Sequence, residues 1–128
     1  MIPNIVVIGA GKVGSRHVQA LSKVRNDVYI HVVDPDQKAL DRSKKFFLSN
    51  QQNRNINRIS FYLEINKLNM PIHTAIISTN SEIRRQVIEQ LISINNIKYL
   101  VLEKIAFQNI EDFDFIIQLL KDKSIEGF

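Results

Sequence analysis

The sequence predicts an α/β fold, a doubly wound parallel sheet with helices on both faces. Three observations carry that expectation. Short β-branched runs alternate strictly with stretches of helical periodicity, the pattern of parallel strands joined by right-handed crossovers. The first run is continuously apolar, as a strand covered on both faces must be. The 128 residues, 45% hydrophobic and 23% charged, suit one folded domain of residues 1–128 with a single core.

The elements follow in order along the chain. Ile5-Val6-Val7-Ile8 is the first strand and ends at Gly9. Val13, Val18, Leu21 and Val24 recur at helical spacing. Tyr29-Ile30-His31-Val32-Val33 is the second strand, closed by Asp34-Pro35. Ala39, Leu40, Ser43, Phe46 and Phe47 form one helix face, with Asp36 as its cap after the proline. Ser49 to Arg58 is polar and aperiodic, and is expected to be a surface loop. Ile59 to Leu63 is a third strand, and Glu64 to Leu68 a single helical turn.

Thr74 to Ser78 is the fourth strand, after the breaker Met70-Pro71. Ile83, Val87, Ile88, Leu91 and Ile92 give a helical stripe, with Asn80 or Ser81 as cap and Asn95-Asn96 as its end. Tyr99 to Leu102 is the fifth strand. Ile110, Phe113, Ile116, Ile117 and Leu120 mark a last helix, whose first turn holds Glu111 and Asp112 where the helix dipole favours them. Ser124 to Phe128 turns extended again. A chain that stops where a further strand begins reads as cut short.

Composition excludes several functions. Without Cys there is no disulfide framework, thiol nucleophile or thiolate zinc site. His31 and His73 have no ligand-like partners in the sequence, and no metal site is expected. No apolar run approaches the roughly 20 residues of a membrane helix. No charged leader precedes an apolar stretch, so no signal peptide is expected and the chain is assigned to the cytoplasm. The net charge is +4, with Lys38, Arg42, Lys44, Lys45, Arg54, Arg58 and Lys67 set against Asp41 and Glu64. Clustered cations attract nucleic-acid phosphate, but no aromatic residues are interleaved for base stacking. A solvated helix face and polar loop account for them, and no nucleic-acid partner is expected.

The chemistry concentrates at strand ends. Gly9-Ala10-Gly11-Lys12-Val13-Gly14 is G-x-G-x-x-G, placed between a strand and a helix. Gly9 permits the tight turn, Gly11 lets a diphosphate approach the backbone, and Gly14 lets helix and strand pack closely. Free N–H groups around Lys12 and Val13 suit phosphate oxygens at a helix N-terminus. A glycine turn needed for packing alone is the bland alternative. Asp34, 25 positions after Gly9, is placed to accept hydrogen bonds from both hydroxyls of an adenosine ribose. It would repel a 2′-phosphate, which favours NAD over NADP. The alternative for Asp34 is a cap on the following helix. Thr79 and Asn80 follow the fourth strand, and Glu103 and Lys104 the fifth. In open parallel sheets ligands sit beyond such C-terminal ends, so Gly9, Asp34, Thr79 and Lys104 converge on one cleft.

Ile8 to His17, then Asp34, Ile77-Ser78-Thr79 and Glu103-Lys104 resemble the Gfo/Idh/MocA oxidoreductases. The resemblance spans nearly the whole chain but only that family's N-terminal dinucleotide-binding Rossmann domain. It implies hydride transfer between nicotinamide and a sugar, inositol or polyol. It also implies a second domain, missing here, that supplies most of the substrate pocket and often the homo-oligomer contacts. Glu103 would contact the nicotinamide ribose, and Lys104 would act near the substrate hydroxyl by stabilising charge or assisting proton transfer. His17 is expected to pack or hydrogen-bond within the fold rather than act as acid or base.

Two departures touch the same end of the cleft. Ile105 stands where the family has Pro after Glu-Lys. Asn80 stands in place of Pro after the fourth strand, and Arg84 falls at the expected His. Cofactor binding is therefore better supported than the usual catalysis, and nucleotide binding without turnover is expected of this chain because the domain that should cover the nicotinamide is missing. The alternative from another class is a non-catalytic NAD-sensing regulatory domain of the potassium-transport type, in which Glu103-Lys104 and His17 are not expected. The glycine spacing suits a dinucleotide better than a methyltransferase cofactor.

Overall fold

β1 (Asn4–Ile8) and β2 (Tyr29–Val33) pair in parallel inside the sheet, because each carries β-branched residues with both faces to bury. The computed structural model describes residues 2–50 and 58–128. The remaining elements are α1 (Lys12–Leu21), α2 (Gln37–Asn50), β3 (Ile59–Tyr62), a short 3-10 helix (Ile65–Lys67), β4 (Ile72–Ile77), α3 (Arg84–Ile94), β5 (Ile97–Leu102), α4 (Ile110–Asp122) and β6 (Glu126–Gly127). The strand order is β3-β2-β1-β4-β5-β6, and every pairing is parallel. The chain winds outward from β1 in one direction and then from β4 in the other. The crevice between β1 and β4 is thus the switch point at which such sheets bind ligands.

Side-chain alternation along β1 divides the core. Val7 faces α1 and α2 with Val18, Ala39, Leu40 and Phe47. Val6 and Ile8 face the other layer, with Ile88 and Leu91 of α3 and Ile116 and Leu120 of α4. The α1–α2 contact also holds a buried Ser15–Ser43 hydroxyl pair at 2.8 Å. α3 and α4 are tied by Arg85, which donates to Asp112 at 2.9 Å and stacks over Phe115.

Several expectations shift at element ends. The loop expected from Ser49 begins later, since α2 continues through Asn50; its residues 51–57 lie outside the described residues. Asp36 caps α2, its carboxylate accepting from the Lys38 amide at 3.0 Å. α3 starts only at Arg84, with Ile83 at its N-cap position; residues 81–83 form a turn before it, and Asn80 Oδ1 accepts from the Ile83 amide at 3.4 Å across that turn rather than capping α3 itself. The extended C-terminal stretch supplies β6, paired with β5 at Tyr99 and Leu100.

His31 belongs to this framework. Its ring is buried, with Nε2 at 2.9 Å from Asn4 Oδ1 and Nδ1 at 3.1 Å from the Tyr62 hydroxyl. Asn4 Oδ1 is an acceptor, because the same amide donates its Nδ2 to the Pro71 carbonyl. The ring therefore carries its hydrogen on Nε2, and Tyr62 donates to Nδ1. Burial holds the His31 pKa below its ordinary value of 6.5. A base with a depressed folded pKa stabilises the fold above the unfolded pKa, and that stability is lost as pH falls through the folded value. Denaturant midpoints are expected to be lower near pH 5 than near pH 7.5, with the His31 share of that difference removed in His31→Gln. An unchanged pH dependence in this variant would contradict the assignment.

Candidate functional site

The turn after β1 is built by main-chain bonds. The Gly9 amide donates to the Val33 carbonyl at 2.8 Å, and the Ser78 amide to Ile8 at 2.8 Å. Gly9 has φ +97°, and a Cβ there would lie 2.9 Å from the Ser78 carbonyl carbon. The Ala10 amide donates to Asp34 Oδ2 at 2.8 Å, and the Ser15 hydroxyl donates to the Ala10 carbonyl at 3.0 Å. At Gly14 a Cβ would stand 1.7 Å from the Gly9 carbonyl oxygen, whereas at Gly11 it would meet nothing within 4 Å. Gly9 and Gly14 are thus demanded by packing, while Gly11 faces open space.

α1 begins immediately after Gly11, with no side chain capping its N-terminus and no acidic residue in its first turn. The first amides of a helix have no partner within it. Here they carry the positive end of the helix dipole and add the Lys12 charge, a setting for an anion.

Two cavities meet at this terminus. One, of about 540 Å³, is lined by Gly9, Gly11, Asp34, Leu63, Thr79 and Ile83, among others. The other, of about 450 Å³, is lined by Lys12, Val13, Thr79, Asn80, Glu103 and Lys104, among others. Ser78, Thr79 and Asn80 belong to both walls. The Ser78 and Thr79 hydroxyls are buried with no hydrogen-bond partner, a cost that the packing of this turn bears. Asp34 is held in place by its own bonds. Oδ2 accepts from Ala10, and Oδ1 accepts from the Asp36 amide at 2.8 Å. Each oxygen keeps a further lone-pair direction. Asp34 thereby braces the turn, and the α2 cap is left to Asp36.

On the far side, the half-buried His17 ring is hydrogen-bonded through Nε2 to the Glu103 carboxylate, joining α1 to the end of β5. His17 is thus engaged within the fold. Lys104 is exposed and follows Glu103 into the second cavity. Ile105, joined to Lys104 by a cis peptide bond, is 73% exposed.

These features together form a crevice at the switch point of the sheet. The model of an oxidoreductase family, the Gfo/Idh/MocA NAD-binding Rossmann fold, matches residues 3–125. The chain belongs to the Gfo/Idh/MocA family, as its NAD-binding domain. No curated protein matches the sequence. Solved structures share the fold. An oxidoreductase from Agrobacterium radiobacter, in complex with NAD+, L-tartaric acid and magnesium, is 15% identical with a TM-score of 0.77, covering 99% of this chain and 34% of that one. Myo-inositol dehydrogenase from Lactobacillus casei, in complex with NAD(H) and myo-inositol, is 19% identical with a TM-score of 0.71, covering 99% and 36%. Scyllo-inositol dehydrogenase from the same organism, with NAD(H) and scyllo-inositol, is 15% identical with a TM-score of 0.72, covering 100% and 36%. The Gfo/Idh/MocA chain described here thus spans about a third of the length of these relatives.

The expected residues group into the two cavities. Gly9, Gly11, Asp34 and Thr79 line the first, and Lys12, Val13, Asn80, Glu103 and Lys104 the second, with Gly14 buried beneath. Sequence reasoning missed Leu63 and Ile83 as cavity walls, because their apolar character assigned Leu63 to the third strand and Ile83 to the buried stripe of α3, whereas both are exposed and lie just outside those elements. It also took Arg84 only as a departure. Among the described residues no helix is long and apolar enough to cross a membrane, and no group of three His, Asp or Glu is arranged to hold a metal. Lys38, Arg42, Lys44 and Lys45 lie exposed on α2.

Proposed function

We propose that this chain is the NAD-binding part of an oxidoreductase acting on sugars, inositols or related polyols, and that by itself it binds the nucleotide without turning over substrate. The observation that carries this is the uncapped start of α1, opening through Gly11 onto a cavity with Asp34 on one wall and the turn after β4, Ser78 to Asn80, on another. The α1 amides and Lys12 hold the diphosphate. Asp34 accepts from the adenosine ribose hydroxyls, and Leu63 and Ile83 flank the base. The second nucleoside extends toward Glu103, with Lys104 beside the substrate hydroxyl. The bound cofactor supplies hydride acceptance and donation at its nicotinamide. A second domain, of the kind that relatives about three times as long have room for, closes the substrate pocket. The His17–Glu103 contact favours this reading over an NAD sensor, for which neither residue is expected.

Asp34 selects NAD over NADP, because a carboxylate beside the ribose repels a 2′-phosphate. Calorimetric titration tests both statements. NAD is expected to bind at least roughly tenfold more tightly than NADP. Asp34→Ala is expected to weaken NAD by about ten- to a hundredfold, the loss of charge-assisted hydrogen bonds, and to shrink the NAD/NADP gap. Equal NAD affinity before and after the substitution would remove the ribose assignment.

A further inference from the structure

Arg84 opens α3 and is 2% exposed, an unusual depth for a cation. Its Nη1 shares its two hydrogens among the carbonyls of Glu103 at 2.6 Å, Ile105 at 2.7 Å and Ala106 at 3.1 Å, and its Nη2 donates to the Thr79 carbonyl. One guanidinium thus ties the turn after β4 to the loop after β5. Burial lowers the Arg84 pKa from its ordinary value, and the nearby Glu103 charge pulls it back up. All these partners are main-chain dipoles, so the Glu103 carboxylate stays available to His17.

From Glu103 to Asn109 the chain has neither helix nor strand. The Glu103 amide reaches the Ile77 carbonyl only at 3.4 Å. Phe107 anchors the far end of this loop in the core, and Arg84 is the side chain that bonds its first residues, at Glu103, Ile105 and Ala106. That loop carries Glu103, Lys104 and Ile105, which line the cavity on the Lys12 side of α1. With the diphosphate at α1 and one ribose at Asp34, a dinucleotide crossing the switch point must place its other nucleoside there.

We propose that Arg84 is a positioning residue for that second nucleoside, its planar fork holding the Glu103–Ala106 loop as a preformed cavity wall. The proposal rests on the dinucleotide reading above. Arginine suits the task because its donors point in fixed directions to several acceptors at once. The guanidinium reaches the Glu103–Ala106 loop from one nitrogen and the Thr79 carbonyl from another, whereas a lysine has a single nitrogen for both loops. A loop left to order on binding costs affinity for whatever it contacts.

The test compares ADP, which reaches only the Asp34 side and the diphosphate site, with NAD, which fills both cavities. Each is titrated calorimetrically into the wild type, Arg84→Met and Arg84→Lys, with circular dichroism melts alongside. ADP affinity is expected to stay within about threefold of wild type in both variants. NAD affinity should fall roughly tenfold or more in Arg84→Met and by an intermediate factor in Arg84→Lys. If Arg84→Met does not fold, Arg84→Lys decides by the same criterion. Retention of both affinities, or parallel loss of both in a folded variant, overturns the positioning role. A wild type that binds neither ADP nor NAD instead overturns the dinucleotide reading, a distinguishable result.

Discussion

Gly14→Ala is expected to destabilise the fold by roughly 3 kcal/mol or more, at the upper end of the cost of overpacking a core. The added methyl would lie 1.7 Å from the Gly9 carbonyl oxygen and 2.7 Å from its carbon. Both are backbone atoms, so no rotamer change relieves the overlap. The turn cannot retreat either, because Gly9 is pinned to Val33 by its amide and Ala10 to Asp34 and Ser15. α1 would have to lift from β1, uncovering Val18 and Val7 from one core layer. Against a domain stability of about 5–15 kcal/mol, this is a large fraction. A melt followed by circular dichroism should show a drop of around 10 °C or more. A variant that melts with the wild type would mean that the turn is looser than its bonds imply.

Gly11→Val should do the opposite: leave the fold intact and abolish binding. Gly11 has φ −70° and ψ −158°, an extended conformation that any residue adopts, and a Cβ at this position would find no neighbour within 4 Å. Stability should change by less than about 1 kcal/mol, as at an ordinary surface position. The new side chain, however, would occupy the approach to the α1 amides that the diphosphate needs. NAD and ADP affinity are both expected to fall by a hundredfold or more, roughly 2.7 kcal/mol. The pair Gly11→Val and Gly14→Ala thus separates a glycine kept for a ligand from one kept for packing. A Gly11→Val protein that binds NAD like the wild type would place the diphosphate elsewhere.

Much of this molecule follows from short-range rules. Strand and helix order, the glycine turn, Asp34 at the end of β2 and the Asp36 cap are each decided within a few residues, by side-chain period, turn chemistry and the needs of a helix start. For that reason they were legible in one sequence, as was the convergence of Gly9, Asp34, Thr79 and Lys104 at strand ends. Boundaries were less legible. α2 runs on to Asn50 through residues whose polarity suggests a loop, because main-chain hydrogen bonds carry a helix past its last buried residue, Phe47.

Only the tertiary structure decided what joins distant segments. His17 and Glu103 stand 86 residues apart and meet because β5 ends beside the start of α1. Arg84, alone in sequence, reads like any cation at a helix start. Its role emerges only when α3 packs against the sheet and removes water from it, leaving the carbonyls of Thr79, Glu103, Ile105 and Ala106 to replace that water. Local sequence prescribes local conformation because its forces act between near neighbours. Burial and its demand for hydrogen-bond partners are set by the whole packed chain.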